Sequence, residues 1–182
     1  MTAHLPNEVI SNQILLGTQQ LISYCESLDD SSFFYQPGEK WSAAQQVKHL
    51  TTAANISKLA FLLPKFVVSL AGGKPNRPSR TYDELVAKYK LKLEQGGKAS
   101  KRYTPKTINA SYGKQKLLNA FNRSMLPIAK AIRKNWSEQQ LDKYIVPHPL
   151  LGKITIRELG YFTIHHIQHH LDSIKKCLNH DL

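Results

Sequence analysis

Apolar residues recur every three to four positions along several long stretches of this chain, and that periodicity restricts its fold more than any other feature. Such spacing gathers apolar side chains on one face of an α-helix, which must then pack against other helices. The helical stretches are predicted at residues 7–28, 42–64 with a resumption to residue 70, 82–95, 114–135 and 155–179. This pattern predicts an all-α fold: an up-down four-helix bundle with one extra short helix and a long basic loop.

The ends of these stretches carry start and stop signals. Ser42 and Thr155 are each followed three residues later by Gln or Glu, which is the capping box that begins a helix. Pro127 lies inside the fourth stretch and predicts a kink or a break there. Residues 98–112 and 146–152 are predicted to be irregular, and no β-hairpin is predicted.

Length and composition limit the class of protein. The chain has 182 residues, 41% of them hydrophobic and 21% charged, which suits one domain spanning residues 1–182. No run approaches the roughly 18 apolar residues that cross a bilayer, and the first residues lack the pattern of a secretory signal. Cys25 and Cys177 form neither a disulfide framework nor a zinc-ligand spacing. We therefore expect a cytoplasmic protein with no membrane partner.

The charge is concentrated in the middle of the chain. The formal net charge is +12, and the segment from Lys74 to Lys116 holds 12 basic residues against three acidic ones. This basic segment could bind nucleic acid or an acidic partner, or it could be a solvated surface that keeps the protein soluble. We favour the solvated surface, because the cations are scattered through loops and one short helix, so nucleic acid is not the expected partner.

Histidines are the residues most indicative of chemistry. Four of the eight lie within six positions of the last helical stretch, namely His165, His166, His169 and His170. Residues four apart share a helix face, so two pairs could each grip one divalent metal ion. At about 100° per residue, His166 and His170 fall beside apolar positions, whereas His165 and His169 fall among charged ones. We therefore predict that His166 and His170 bind the metal.

A third ligand should come from another helix, because two imidazoles make a weak site. His49 lies at the edge of the apolar face of the second helix, where a polar side chain needs a partner. We predict that it completes the metal site. His4, His148 and His180 are expected to be bystanders.

Three segments resemble a known family. Residues 41–50, WSAAQQVKHL, are similar to the segment that opens the second helix in the DinB/YfiT-like superfamily of four-helix bundles. Residues 166–171, HIQHHL, resemble its last-helix histidine segment, and residues 149–155 resemble the loop before that helix. The resemblance implies that one divalent ion, with zinc or nickel favoured, is held by three histidines. They are His49, His166 and His170.

The resemblance also implies an activity. Members include transferases that use low-molecular-weight thiols and proposed hydrolases, so we expect a metal-dependent enzyme for a small-molecule substrate, with a thiol S-transferase favoured. It makes a homodimer plausible and assigns no catalytic side chain. The alternatives are a non-catalytic binding module that uses the segment Lys74–Lys116, or a purely structural metal. That segment is longer than in better-known members and could form a lid.

Overall fold

A computed structural model describes residues 4–179, and helices dominate that part of the chain. His180 lies outside the described residues. The helices are α1 Asn7–Ser27, α2 Asp30–Phe34, α3 Ala43–Leu62, α4 Lys65–Gly72, α5 Tyr82–Glu94, α6 Lys114–Asn135, α7 Glu138–Lys143 and α8 Ile156–Asn179. A 3-10 turn spans Ala110–Tyr112, and two short strands, β1 Ile145–His148 and β2 Gly152–Thr155, form an antiparallel pair.

The four long helices pack in a ring. Helix α3 contacts α6 and α8, and α1 contacts the same two helices from the other side. Ile14, Leu50, Phe121 and Ile128 contribute fully buried side chains to one apolar cluster between them. Burial of each such side chain stabilises the fold by about 1.5–3 kcal/mol. The predicted all-α fold is confirmed, whereas the single domain and the up-down order stay predictions.

Several features differ from the sequence prediction, which had one extra short helix where the described chain has four, α2, α4, α5 and α7. Of the kink or break predicted at Pro127, the break does not occur, and its neighbours Met125, Ile128 and Ala129 are buried against other helices. That packing outweighs the hydrogen bond that proline removes. The prediction that no hairpin would form was wrong: β1 pairs with β2, and β1 also packs against α4.

The start of α8 is fixed by a buried ion-pair network. Thr155 and Glu158 exchange the two hydrogen bonds of the predicted capping box, at 3.0 and 3.2 Å. Both Glu158 carboxylate oxygens also accept from the Arg77 guanidinium, at 2.7 and 2.8 Å, and Arg80 donates to the same carboxylate. Burial opposes ionisation of Glu158, but these donors hold the pKa of its carboxyl below the ordinary value. The network anchors the helix that carries His166 and His170.

Among the described residues, no single helix has the length and apolar composition to cross a membrane. Helices α3 and α4 reach the required length and apolar composition only when they are taken together, and the angle between them is 112°.

Candidate metal centre

Two long helices bring three histidines together. The capping box at Ser42 starts α3, and His49 follows almost two turns later on the buried side. His166 and His170 lie one turn apart on α8. All three side chains are buried, with exposed fractions of 6–7%. The ring nitrogens that they offer lie within 4.8 Å of one another, so the structure brings together the three predicted ligands.

The Nε2 atoms converge on one point. The Nε2 of His166 lies 3.1 Å from the Nε2 of His49 and 3.1 Å from the Nε2 of His170. Nitrogens about 2.1 Å from one zinc ion lie about 3.4 Å apart at tetrahedral angles and about 3.0 Å apart at octahedral angles. The observed separations match those expected around a single divalent ion, so the three imidazoles are able to hold one.

The opposite ring nitrogens fix the tautomers. His49 Nδ1 donates to the backbone carbonyl of Tyr103 at 2.8 Å, and His170 Nδ1 donates to the side-chain oxygen of Gln46 at 2.6 Å. Each of these neutral rings therefore presents a lone pair at Nε2. The Nε2 atoms of His49 and His170 both need a donor, and neutral His166 has at most one Nε2 proton to give. The three Nε2 atoms therefore have more lone pairs than protons among them. A cation can accept the lone pairs of all three Nε2 atoms, whereas hydrogen bonds among the imidazoles leave at least one of them unpaired.

Burial also favours the metal-binding protonation state. It lowers the pKa of His49 and lowers those of His166 and His170 well below the ordinary range. Repulsion from neighbouring histidinium forms adds to the effect: His49 acts on His166, and His166 and His49 act on His170. At His49 the repulsion comes from His169, and the hydrogen bond to the Tyr103 carbonyl opposes the lowering of the pKa. Near neutral pH the rings are therefore uncharged, which is the form that binds metals.

An apolar cavity opens on one side of the cluster. Its volume is about 230 Å³, and His49 and His166 form part of its wall. Most of the remaining lining is apolar, with Ile56 of α3 and Leu159 and Phe162 of α8 among its members. Residues of β1 and of the loop after α5 complete it. A small apolar molecule in this cavity would lie beside the converging nitrogens.

A polar cavity opens on another side. Its volume is about 580 Å³, and His49 and His170 contribute to its lining. Lys40 and Lys176 give it two cationic groups and Glu39 gives it one anionic group, and the Trp41 ring stacks on His170 with centroids 6.3 Å apart. The cluster therefore lies where two chemically different cavities meet.

The second histidine pair of α8 does not join the cluster. His165 and His169 are half-buried, and both rings contact the Tyr89 ring edge-on, with centroids 5.7 and 6.1 Å away. His4 is exposed. The geometry thus brings His166 and His170 to His49 and leaves His165 and His169 outside the cluster.

His148 was expected to be a bystander, and the structure places it in the wall of the apolar cavity. It is the last residue of β1, and its ring lines the apolar cavity and packs on Phe162 with centroids 4.3 Å apart. Sequence reasoning also missed Gln46 and Tyr103 as partners of the clustered histidines. Gln46 carried a usable signal, because it lies one turn before His49 on the same helix, whereas the Tyr103 contribution is a backbone carbonyl and carried none.

The basic segment is partly engaged inside the protein. Arg77 and Arg80 are bound to Glu158, Lys88 donates to the Leu151 carbonyl, and Lys114 pairs with an acidic residue of α2. Cations held in this way are less available to an external anionic partner. Part of the segment that was suggested as a lid lies against the apolar cavity, where it contributes Lys98, Ala99, Ser100 and Tyr103 to the lining. Its action as a lid stays a prediction.

A ring of long helices with a buried cluster of three histidines defines a class of helical proteins with a candidate metal centre. The family comparison gives that class a name. The family model of the DinB superfamily matches residues 13–174, and the chain belongs to this superfamily. No curated protein matches the chain.

Proposed function

We propose that this protein is a divalent-metal-dependent enzyme in which His49, His166 and His170 hold one ion, zinc or nickel. The observation that carries the proposal is the convergence of their three Nε2 atoms where two cavities meet. The described chain offers no fourth histidine, cysteine or carboxylate to this cluster. Three protein ligands with further positions left open are typical of a catalytic rather than a structural metal.

The favoured reaction is transfer of a low-molecular-weight thiol to a small electrophile. A bound divalent ion acts as a Lewis acid that lowers the pKa of a thiol or of water, which makes a nucleophile near neutral pH. In the thiol reaction the sulfur forms a bond to the electrophilic carbon, the leaving group departs with its electron pair, and the thiol proton goes to solvent. Hydrolysis is the alternative, with water as nucleophile.

The two cavities support the two-substrate reaction over hydrolysis. The polar cavity presents Lys40 and Lys176 against the single carboxylate of Glu39, and this net positive lining suits a thiol that carries anionic groups. The apolar cavity removes a small apolar electrophile from water. Hydrolysis needs only one organic substrate and leaves the second cavity without a role. A homodimer remains an expectation from the family resemblance.

The first experiment measures metal content by elemental analysis of protein purified without chelators or a metal-affinity step. The variants are His49→Ala and His166→Ala, with His165→Ala as the matched control on the same helix. We expect about one ion per chain in wild type and in His165→Ala, and its loss in the other two. Metal absent from the wild type contradicts the proposal.

A second experiment tests turnover. Thiols and small apolar electrophiles are screened with metal-loaded protein, after chelator treatment, and after metal is restored. Activity that requires the ion supports the enzyme, with conjugation and hydrolysis products separating the two reactions. Stoichiometric metal with no turnover, together with a fourth protein ligand found by spectroscopy, would instead establish a structural ion.

A further inference from the structure

His148 has a ring whose orientation and tautomer are set by its own hairpin. A three-residue loop follows it before Gly152, which adopts φ = 73°, and such loops favour glycine at that position. The backbone N–H groups of Leu150 and Leu151 both donate to His148 Nδ1, at 3.3 and 3.2 Å. Because Nδ1 accepts, the proton of the neutral ring is on Nε2.

The remaining edge of that ring faces the apolar cavity. The hairpin loop occupies the Nδ1 edge, Phe162 packs on the ring, and His148 forms part of the cavity wall. Among residues 4–179, no protein atom accepts a hydrogen bond from His148 Nε2. Burial lowers the pKa of His148 to about 4, so the ring is neutral at physiological pH. This N–H donor therefore has no protein acceptor and keeps accessible surface in a wall that is mostly apolar.

We infer that His148 Nε2–H donates a hydrogen bond to the substrate, and that the apolar cavity selects compact apolar molecules that carry one acceptor oxygen, such as a carbonyl. The other polar groups of the wall are less suited to this task. Lys98 and Ser100 are exposed, and the hydroxyls of Ser57, Tyr89 and Tyr103 can each rotate and can donate or accept. A fixed donor in apolar surroundings discriminates more sharply, because a ligand without an acceptor leaves it unpaired.

The inference rests on the proposed function only in taking the apolar cavity as the site of the electrophile. Its test is a binding measurement, so it can fail while the metal analysis succeeds. The probes are acetophenone and α-methylstyrene, which share a carbon framework but differ in the carbonyl acceptor. Their dissociation constants are measured with the full-length protein as isolated, in wild type and two variants.

The variants separate the donor from the structural role of the turn. In His148→Asn the side-chain oxygen can still accept from the N–H two residues on, which keeps the turn, but the ring donor is lost. His148→Phe removes both. We expect the preference for acetophenone over α-methylstyrene to fall about fivefold in His148→Asn, the size of one neutral hydrogen bond, with thermal stability close to wild type.

Three results would overturn the inference. The first is an unchanged preference in both variants, which would assign recognition of the acceptor to another group. The second is no binding of either probe to wild type at millimolar concentration. The third is nitrogen NMR of the His148 ring that places its proton on Nδ1 rather than Nε2. A proton on Nε2 whose resonance shifts with acetophenone but not with α-methylstyrene supports the inference.

Discussion

Replacement of Gln46 by leucine should weaken metal binding without a direct change to any ligand. Gln46 is buried, and its side-chain oxygen accepts from His170 Nδ1 at 2.6 Å. Leucine fills similar space but has no acceptor, so the buried N–H of His170 loses its partner. An unsatisfied buried donor costs about 1–3 kcal/mol, and a factor of ten in affinity corresponds to about 1.4 kcal/mol.

In the metal-free variant the proton of His170 can move to Nε2, whereas a bound ion requires it on Nδ1, so the cost falls mainly on the metal-bound state. A cost of about 1–3 kcal/mol corresponds to a dissociation constant larger by a factor of about 5–150, which includes the range of about 10–100 known for groups that orient metal-bound histidines. The upper part of the range applies if the ion polarises His170 and strengthens the lost hydrogen bond. Zinc affinity is measured by competition with a chromophoric chelator at fixed pH. The thermal stability of each metal-free variant is recorded as a check on folding.

Two further variants make the result specific. Gln168→Leu is the matched control, because this exposed glutamine donates to Asp172 one turn away and has no contact with the cluster. Its affinity should change less than twofold. Gln46→Glu retains an acceptor and should restore wild-type affinity or exceed it. Wild-type affinity in a folded Gln46→Leu variant would refute the reasoning, as would equal losses in Gln46→Leu and Gln168→Leu.

Three other predictions concern stability. Gly72→Ala should lower the free energy of unfolding by several kcal/mol in denaturant titrations, or prevent folding, because its Cβ would overlap the Ile145 carbonyl oxygen. Gly17→Ala makes only ordinary contacts and should raise the free energy of unfolding by about 0.5–1 kcal/mol through helix propensity. Equal effects of the two substitutions would contradict this. Glu158→Gln should lower the free energy of unfolding by about 2 kcal/mol as charge-assisted hydrogen bonds are lost, and an unchanged urea midpoint would show that the network is dispensable. The metal-free protein should lose stability as pH falls from about 6.5 towards 4, because the folded state lowers its histidine pKa values and the unfolded chain then binds more protons. His148, with a pKa of about 4, alone contributes about 3 kcal/mol to this loss. An unfolding free energy in urea that does not change over this pH range would contradict the assignment.

The long helices were predictable because their signals are local. The capping boxes at Ser42 and Thr155 lie within four residues each, and both are formed in the structure. The hairpin was not predictable in the same way. Its strands have four residues each, one contains Pro147, and β1 packs against α4, which is more than 70 residues away in sequence. Distant packing of this kind leaves little trace in local spacing.

The candidate site was likewise predictable only where the signals in the sequence are local. Helical spacing distinguished the buried pair of α8 from the half-buried pair, because four-residue periodicity determines which side chains face the interior. Spacing could not show that His148 would reach the cavity, since that depends on how the hairpin folds back over Phe162. It also could not show the Tyr103 carbonyl, which any residue type would supply.

The hydrogen bond from His49 to the Tyr103 carbonyl couples the loop after α5 to the candidate metal ligands. When the loop holds this carbonyl in place, His49 is already ordered and loses less entropy on binding an ion. By reciprocity, an ion bound to His49 must stabilise this loop conformation by the same free energy. Lys98, Lys101 and Arg102, the residues after which trypsin cuts, lie just before Tyr103. The rate of tryptic cleavage in this loop should therefore report metal occupancy, and a nick there should loosen the ion although every histidine remains in place.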